Sequence, residues 1–393
     1  MIHGVRQTLV PRACHRKIVL EIHMQRRLEN YFLNVITGKQ KGVIASLLRF
    51  FLFLSSLLYR SIVAFRNRIF DQGWVSRYFP PVPVVISIGN IVVGGTGKTP
   101  VTLMLAREFY EEFFIGILSR GYRSQVEKLP IPVVLSKGEG PMQSASFCGD
   151  EPFLIAQNLP KAFVVVGRNR HKASDIAARA GVHLILLDDG MQHRRLARDF
   201  EVVVMDSMDL FGQGYYLPRG FLREGAHSLM RADLIILNHV DDKCVFEKLK
   251  AKVSKHSKAI VIGTRMEVVQ IETFSGEVVP SIQYKKVGIF CGIAHPEYFQ
   301  KTVIQEGGEI VDSVFASDHM SLDFQILKTF AINCKEMGAE MLLCTEKDKV
   351  KMIDYQKLAL PVAWIKMRLK LVEGESEWTN FIERIKSDLR NRI

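Results

Sequence analysis

The chain is poor in cysteine, and what it has is not arranged for metal or disulfide work. Cys14, Cys148, Cys244, Cys291, Cys334 and Cys344 form no C-x-x-C pair and no repeating Cys/His spacing. That excludes a zinc ribbon and a disulfide framework and fits free thiols in a reducing compartment. A long apolar run is also missing. The one strong run, residues 43–58, falls short of the roughly 20 residues of a simple membrane span. It starts too late for a signal peptide, and no small-residue cleavage site follows it. There is no internal repeat and no low-complexity tract, which excludes solenoids and collagen-like fibres. Acids are scarce at one end. Residues 1–80 hold only Glu21, Glu29 and Asp71 against thirteen Lys/Arg, so that most of the formal charge of +12 sits in the first fifth of the 393 residues. A nucleic-acid binder would be basic throughout its working domain, so no nucleic-acid partner is expected. The basic end calls instead for an anionic surface.

What the N-terminal end does contain is VIASLLRFFLFLSSLL at 43–58, with Lys39 and Lys41 before it and Arg60, Arg66 and Arg68 after it. Cations on both sides oppose a simple span and suit a helix lying in the membrane interface, with Arg49 snorkelling to the head groups. A buried core helix and a true span stay open as alternatives. Residues 1–23 show no sustained period and read as a tail. Met24 is a candidate start residue.

Residues 84–88, VVISI, have the pattern of a buried parallel strand. They run into Gly89-Asn90-Ile91-Val92-Val93-Gly94-Gly95-Thr96-Gly97-Lys98-Thr99-Pro100, and helical periodicity follows. Strand, glycine loop and helix are thus in phosphate-loop order. The strict G-x-x-x-x-G-K-[ST] pattern wants Gly at 92, where Val stands. The chemistry survives this departure. Gly94, Gly95 and Gly97, with Thr96 between them, let backbone N–H groups approach phosphate oxygens. Lys98 would reach the β- and γ-phosphates, and the Thr99 hydroxyl would bind Mg²⁺.

A second buried strand, 182–187, ends in Asp188-Asp189-Gly190. An apolar strand that delivers a carboxylate to the site edge is how such folds hold Mg²⁺, and which of Asp188 and Asp189 does so stays open. Asp150 and Glu151, in Gly149-Asp150-Glu151-Pro152, precede a helical pattern. Asp150 could cap that helix. It could also accept a hydroxyl proton, with Glu151 supporting the metal. Phosphate recognition on an acceptor favours Arg, and Arg168, Arg170, Arg219 and Arg223 are the candidates.

In combination these blocks resemble the tetraacyldisaccharide 4'-kinase family of lipid A biosynthesis. The resemblance covers about residues 40–370. It rests on Ser87-Ile88-Gly89-Asn90 with the glycine loop, then Ser119-Arg120-Gly121-Tyr122, Gly149-Asp150-Glu151-Pro152, and Asp188-Asp189-Gly190-Met191-Gln192-His193. The later blocks are Leu217-Pro218 to Arg223-Glu224, Gly292-Ile293-Ala294 with Pro296 and Phe299, Asp318-His319, and Thr345-Glu346-Lys347-Asp348. Met191 and Gly225 depart from the residues usual at those places.

The resemblance implies transfer of the γ-phosphate of ATP, with Mg²⁺, to the 4'-hydroxyl of a lipid A disaccharide 1-phosphate precursor. It implies a monotopic enzyme on the cytoplasmic face of the inner membrane. It implies that Asp150 is the base, paired with His319 rather than His295, and that Asp188 and Asp189 serve the metal. It favours Arg170 and Arg223 for substrate phosphate. Gln192 and His193 could then bond sugar hydroxyls.

The expected fold is α/β: a phosphate-loop NTPase-like, mostly parallel sheet with helices on both faces, a smaller C-terminal α/β domain and an N-terminal membrane-associated helix. The expected division is a flexible basic tail at 1–40, a membrane-associated helical segment at 41–80, a phosphate-loop kinase domain at 81–265, a hinge at 266–285 and a C-terminal α/β domain at 286–393. A monomer is expected. Two rivals are carried. Asn238-His239-Val240-Asp241 resembles the N-K-x-D guanine reader, which suggests a GTPase. A membrane-bound ATPase switch acting on a protein partner is the other.

Overall fold

The computed structural model describes residues 31–316, 322–352 and 355–393. Residues 1–30 of the expected tail, the Met24 start, Asp318 and His319 therefore lie outside the described residues, while 31–36 of that tail is helical. The chain divides into two compact units, one holding residues up to Asn67 with Phe211–Gly225, the other Arg68–Leu210 with Ala226–Ile393.

In the first unit the main element is α1, Val43–Asp71, whose last residues fall beyond the unit's boundary at Asn67. The helix runs well past the apolar stretch at 43–58, because 59–71 keeps an apolar stripe among its arginines. At 29 residues it is, by length and composition, long enough to cross a membrane, which corrects the expectation of a run too short to span. Phe50, Phe51, Leu54, Leu58 and Phe65 are exposed, which rules out the buried core helix. The 211–225 loop is tied to α1 by Glu224, fully buried, which accepts from Arg66 at 3.0 Å and Asn67 at 2.8 Å. Arg66 is thus committed to an internal ion pair.

The second unit is built on one sheet. Its strands are β1 (Val84–Gly89), β2 (Ile115–Ser119), β3 (Val133–Lys137), β4 (Phe163–Val166), β5 (Leu184–Asp188), β6 (Phe200–Asp206) and β7 (Leu234–Asn238), then β8 (Ile260–Thr273), β9 (Val278–Val279), β10 (Lys286–Cys291), β11 (Glu309–Phe315), β12 (Met341–Thr345) and β13 (Val362–Glu373). The spatial order is β11-β10-β12-β13-β8-β7-β6-β1-β5-β2-β4-β3, with β9 beside β8. Pairing is parallel except at β3–β4, β8–β9 and β8–β13. The helices in this unit are α2 (Lys98–Arg107), α3 (Ala145–Cys148), α4 (Asp150–Asn158), α5 (Arg170–Arg179), α6 (Lys243–Val253), α7 (Pro296–Gln305), α8 (Phe324–Glu336), α9 (Glu346–Lys349) and α10 (Glu375–Arg392).

The strands alternate their side chains between two cores, as a period of two requires. Val84, Ile86 and Ile88 of β1, with Leu184 and Leu186 of β5, pack with residues of α2, α4 and α10. Val85, Ile185 and Leu187 face the other way, onto Ala173 and Ala177 of α5. Helices therefore cover both faces, which is why the central strands read as unbroken apolar runs. The β10–β12–β13 region repeats the scheme. Phe299 and Val303 of α7 lie on one face, and Leu327, Phe330 and Ala331 of α8 on the other.

The two parts of the sheet meet in β8 and β13. β8 runs parallel to β7 over Leu234–Leu237, then pairs antiparallel with β13 from Gly263 to Thr273. β13 in turn starts parallel to β12. The polar, alternating stretch after 266 is the second half of this ribbon, where Glu267 and Val269 are exposed while Val268 and Ile271 pack on the β10–β12–β13 core. β11 has no counterpart among the apolar runs read from sequence. It is an edge strand of half-buried residues, Glu309 at its start exposed.

Candidate active site

Parallel register sets the site. Ile88 lies opposite Asp188 in the β1–β5 pair, and β2, β6 and β7 end nearby at Ser119, Asp206 and Asn238. The carboxyl ends of these strands form one edge, the place where open α/β sheets bind ligands.

The glycine loop crosses that edge. Gly97 caps α2 in the left-handed region, at φ 82° and ψ 29°. A Cβ on it would lie 2.1 Å from Asn238 Nδ2, so only glycine fits. Asn238 Nδ2 donates to the Thr96 carbonyl at 3.2 Å. Asn90 Nδ2 donates to Thr96 Oγ1 at 2.9 Å, and Gln192 Nε2 donates to the Asn90 carbonyl at 2.8 Å. Thr96 is buried by these bonds, whereas Gly94 and Gly95 are exposed. The loop is thus braced from below and open above. Asn238 works here as a brace: its Oδ1 accepts from its neighbour's backbone, His239 N–H, at 3.0 Å.

Lys98, first residue of α2, puts Nζ 3.5 Å from Asp189 Oδ1. Asp189 takes a left-handed backbone, φ 52°, at the turn after β5. Asp188 points the other way, into the interior. Its carboxylate accepts from Ser119 Oγ at 3.0 Å, and Arg170 Nη2 donates to its carbonyl at 2.8 Å. Burial first, then the charges of Glu151 and Asp189, push Asp188 up to about 6; Lys98 and Arg170 oppose this. Arg170, also buried, is pushed down to about 10 by desolvation. The adjacent acids therefore have distinct surroundings, Asp189 on the lysine and Asp188 in the core edge.

Asp150 and Glu151 open α4, beyond Gly149. Each meets a lysine from the segment after β12. Lys351 Nζ lies 3.0 Å from Asp150 Oδ2, and Lys347 Nζ 3.5 Å from Glu151 Oε1. At the far end of α4, Asn158 Nδ2 donates to Glu346 Oε1 at 2.9 Å. Thr345-Glu346-Lys347-Asp348 was visible in the sequence as a block, but its residues carried no assigned role. Asp348 is held inward, accepting from Thr345 Oγ1 at 2.5 Å and Gly292 N–H at 2.9 Å.

The expected substrate residues fall in different settings. His193 is mostly buried, edge-on to His171 with ring centroids 5.8 Å apart. Desolvation, then the cations Arg170, His171, Arg198 and Arg195, push it down to about 4, so at neutral pH it is an uncharged imidazole. Arg168 is exposed. Arg223 and Arg219 belong to the first unit. There Tyr59 donates to the Arg223 carbonyl at 3.3 Å, and Arg219 sits 4.4 Å over the Tyr215 ring. His295 faces Glu297 at 3.0 Å. Among the described residues no three His, Cys, Asp or Glu side chains form a ready-made metal cage. The donor set does suit Mg²⁺, which takes most of its ligands from phosphate and water and needs only one or two carboxylates. The upward push on Asp188 by Glu151 and Asp189 marks a clustering of negative charge that a cation would relieve.

A family model described as tetraacyldisaccharide-1-P 4'-kinase matches residues 48–387. The tetraacyldisaccharide 4'-kinase of Syntrophus aciditrophicus is 35% identical over 86% of this chain and 92% of its own length. That of Chlamydia pneumoniae is 35% identical over 86% and 91%, and that of Halothermothrix orenii 31% over 84% and 89%. Among solved structures, LpxK from Aquifex aeolicus in complex with ATP superposes with a TM-score of 0.69 at 29% identity, covering 86% of this chain and 99% of that one.

Proposed function

The chain belongs to the tetraacyldisaccharide-1-P 4'-kinase family, and from that premise we propose how this lipid A 4'-kinase works. It moves the γ-phosphoryl group of ATP to the 4'-hydroxyl of a lipid A disaccharide 1-phosphate precursor. The observation that carries this reading is the braced, open-topped glycine loop with Lys98 beside Asp189 at the strand edge. A lysine, loop N–H groups and a helix N-terminus together offset phosphate charge.

In this reading Gly94, Gly95, Thr96 and Gly97 cradle the phosphates, and Lys98 bridges to the transferred group. Thr99 with Asp188, Asp189 and Glu151 would hold Mg²⁺, whose chemistry is to neutralise charge on the β- and γ-oxygens. Asp150 takes the proton from the 4'-hydroxyl as that oxygen bonds to the γ-phosphorus and the bond to ADP breaks. His319 is its proposed partner. Arg170 and Arg223 serve the substrate phosphate, Arg170 from a buried position that positions the Asp188 turn. Gln192 and His193 serve the sugar, His193 as a neutral donor or acceptor. Residues 266–285, which begin in the second half of β8, remain the proposed hinge between the two parts of the sheet.

The exposed apolar residues of α1 support membrane association, and the proposal places the enzyme as a monotopic monomer on the cytoplasmic face of the inner membrane. Lys39, Lys41, Arg60 and Arg68 would meet anionic head groups.

The test is incubation with γ-labelled ATP, Mg²⁺ and the disaccharide 1-phosphate lipid. Label should move to the lipid, and Lys98→Ala should abolish the transfer. Label released only as free phosphate would favour the ATPase switch, and a preference for GTP would favour the GTPase. A Lys98→Ala enzyme with near-normal kcat would overturn the loop assignment.

A further inference from the structure

We infer that Lys351 is a positioning residue for Asp150, clamping one carboxylate oxygen so that the other faces the acceptor hydroxyl. The inference rests on Asp150 as the proton acceptor. Asp150 is the first residue of α4, and the residue before it is Gly149 at φ 100°. Gly149 separates α3 from α4, so α4 itself supplies no turn before Asp150 to restrict its rotamer. Its carboxylate must nevertheless stay within hydrogen-bond reach of one hydroxyl. The clamp comes from far away in sequence: Lys351 Nζ lies 3.0 Å from Oδ2, and the two side chains are 10% and 16% exposed. No partner within the described residues is seen for Oδ1.

The surroundings make the contact specific. α4 is docked on the segment 345–351 at three places, by Asn158 to Glu346, Glu151 to Lys347 and Asp150 to Lys351. The first of these fixes the helix without touching an acid of the site. Lys347 already has Glu151. Lys351 is therefore the cation in ion-pair contact with Asp150, although its charge also acts on Asp348, and its ammonium, unlike a fork, meets a single oxygen. Because the clamp comes from the part of the sheet beyond the β8–β13 ribbon, Asp150 is held in place only when that part is docked.

The experiment measures kcat and KM for both substrates in the full-length enzyme. Lys351→Met should lower kcat about 30-fold with both KM values within about threefold, because a misaimed group costs rate rather than affinity. Lys351→Arg should return kcat to within about fivefold of wild type. In an Asp150→Asn background, Lys351→Met should cost less than about twofold, since its effect runs through the missing carboxylate. Asn158→Ala should leave kcat unchanged. If Lys351→Met fails to fold, Lys351→Gln is measured in its place.

Full additivity of Lys351→Met and Asp150→Asn would overturn the inference, as would an equal loss from Asn158→Ala, which would make the contact one of docking alone. An Asp150→Asn enzyme with wild-type kcat would overturn the base reading and the inference with it. A large loss in Asp150→Asn with none in Lys351→Met would overturn the inference alone.

Discussion

Replacing Gly97 with alanine tests how the phosphate loop is held. Two costs follow from the structure. The backbone at Gly97 is left-handed, φ 82°, which costs an L-residue about 1–2 kcal/mol. The new methyl would lie 2.1 Å from Asn238 Nδ2, so the amide must move and its 3.2 Å bond to the Thr96 carbonyl is lost. That loss removes about 1 kcal/mol net, more if the buried amide finds no new partner. Together the change is about 3 kcal/mol, felt where Lys98 begins the next helix. It should lower kcat/KM for ATP roughly 10²-fold. The assay is steady-state transfer with ATP varied at saturating lipid acceptor. Gly94→Ala supplies the comparison. It is also at positive φ, 120°, but a Cβ there meets nothing within 4 Å, so only strain remains and the loss should be about tenfold. Adding Asn238→Ala to Gly97→Ala should recover at least about fivefold by removing the clashing amide. The reasoning fails if the double variant is no better than Gly97→Ala, or if Gly97→Ala lies within twofold of wild type.

Two further expectations concern pH and lipid. Burial, Glu151 and Asp189 raise Asp188 to about 6 from 3.8. A carboxyl raised in the folded state binds protons more tightly folded than unfolded. The metal-free protein should therefore lose up to about 3 kcal/mol relative to Asp188→Asn as pH rises from about 4 to 6, with no further change above. A Tm difference between the two proteins that is flat across this window would refute it. On the membrane side, Phe50 and Leu58 are exposed on α1, and burial of such side chains contributes about 1.5–3 kcal/mol each. Phe50→Glu with Leu58→Glu should cut co-sedimentation with anionic vesicles at least about 10²-fold. Unchanged sedimentation would place the anchor elsewhere.

The legible part of this protein is the part whose physics is local. β1, the glycine loop and α2 are contiguous, and their dihedral and periodicity requirements are written at consecutive positions. Asp188-Asp189-Gly190 was visible for the same reason, an apolar strand ending in acids. The central sheet could be read because helices cover both faces, so Val84–Ile88 and Leu184–Leu187 are apolar at every position but Ser87. β11 escaped because an edge strand of half-buried residues carries no such pattern. The helical segment expected at 41–80 contains all of α1, but its apolar run was counted only to 58 because arginines interrupt the count without interrupting the helix, and one of them, Arg66, is paired with Glu224 from far along the chain.

The partners within the site were decided elsewhere. Sequence alone determined that this chain has a phosphate loop, acids at strand ends and a basic, apolar N-terminal helix, because each depends on neighbours a few residues away. Only the tertiary structure decided that Asp189 meets Lys98 while Asp188 turns inward, that Asn238 braces Thr96, and that Lys351 reaches Asp150. Those pairings join residues about 90 to 200 positions apart. They exist because strand order and register bring distant strand ends to one edge, and no local periodicity records that order.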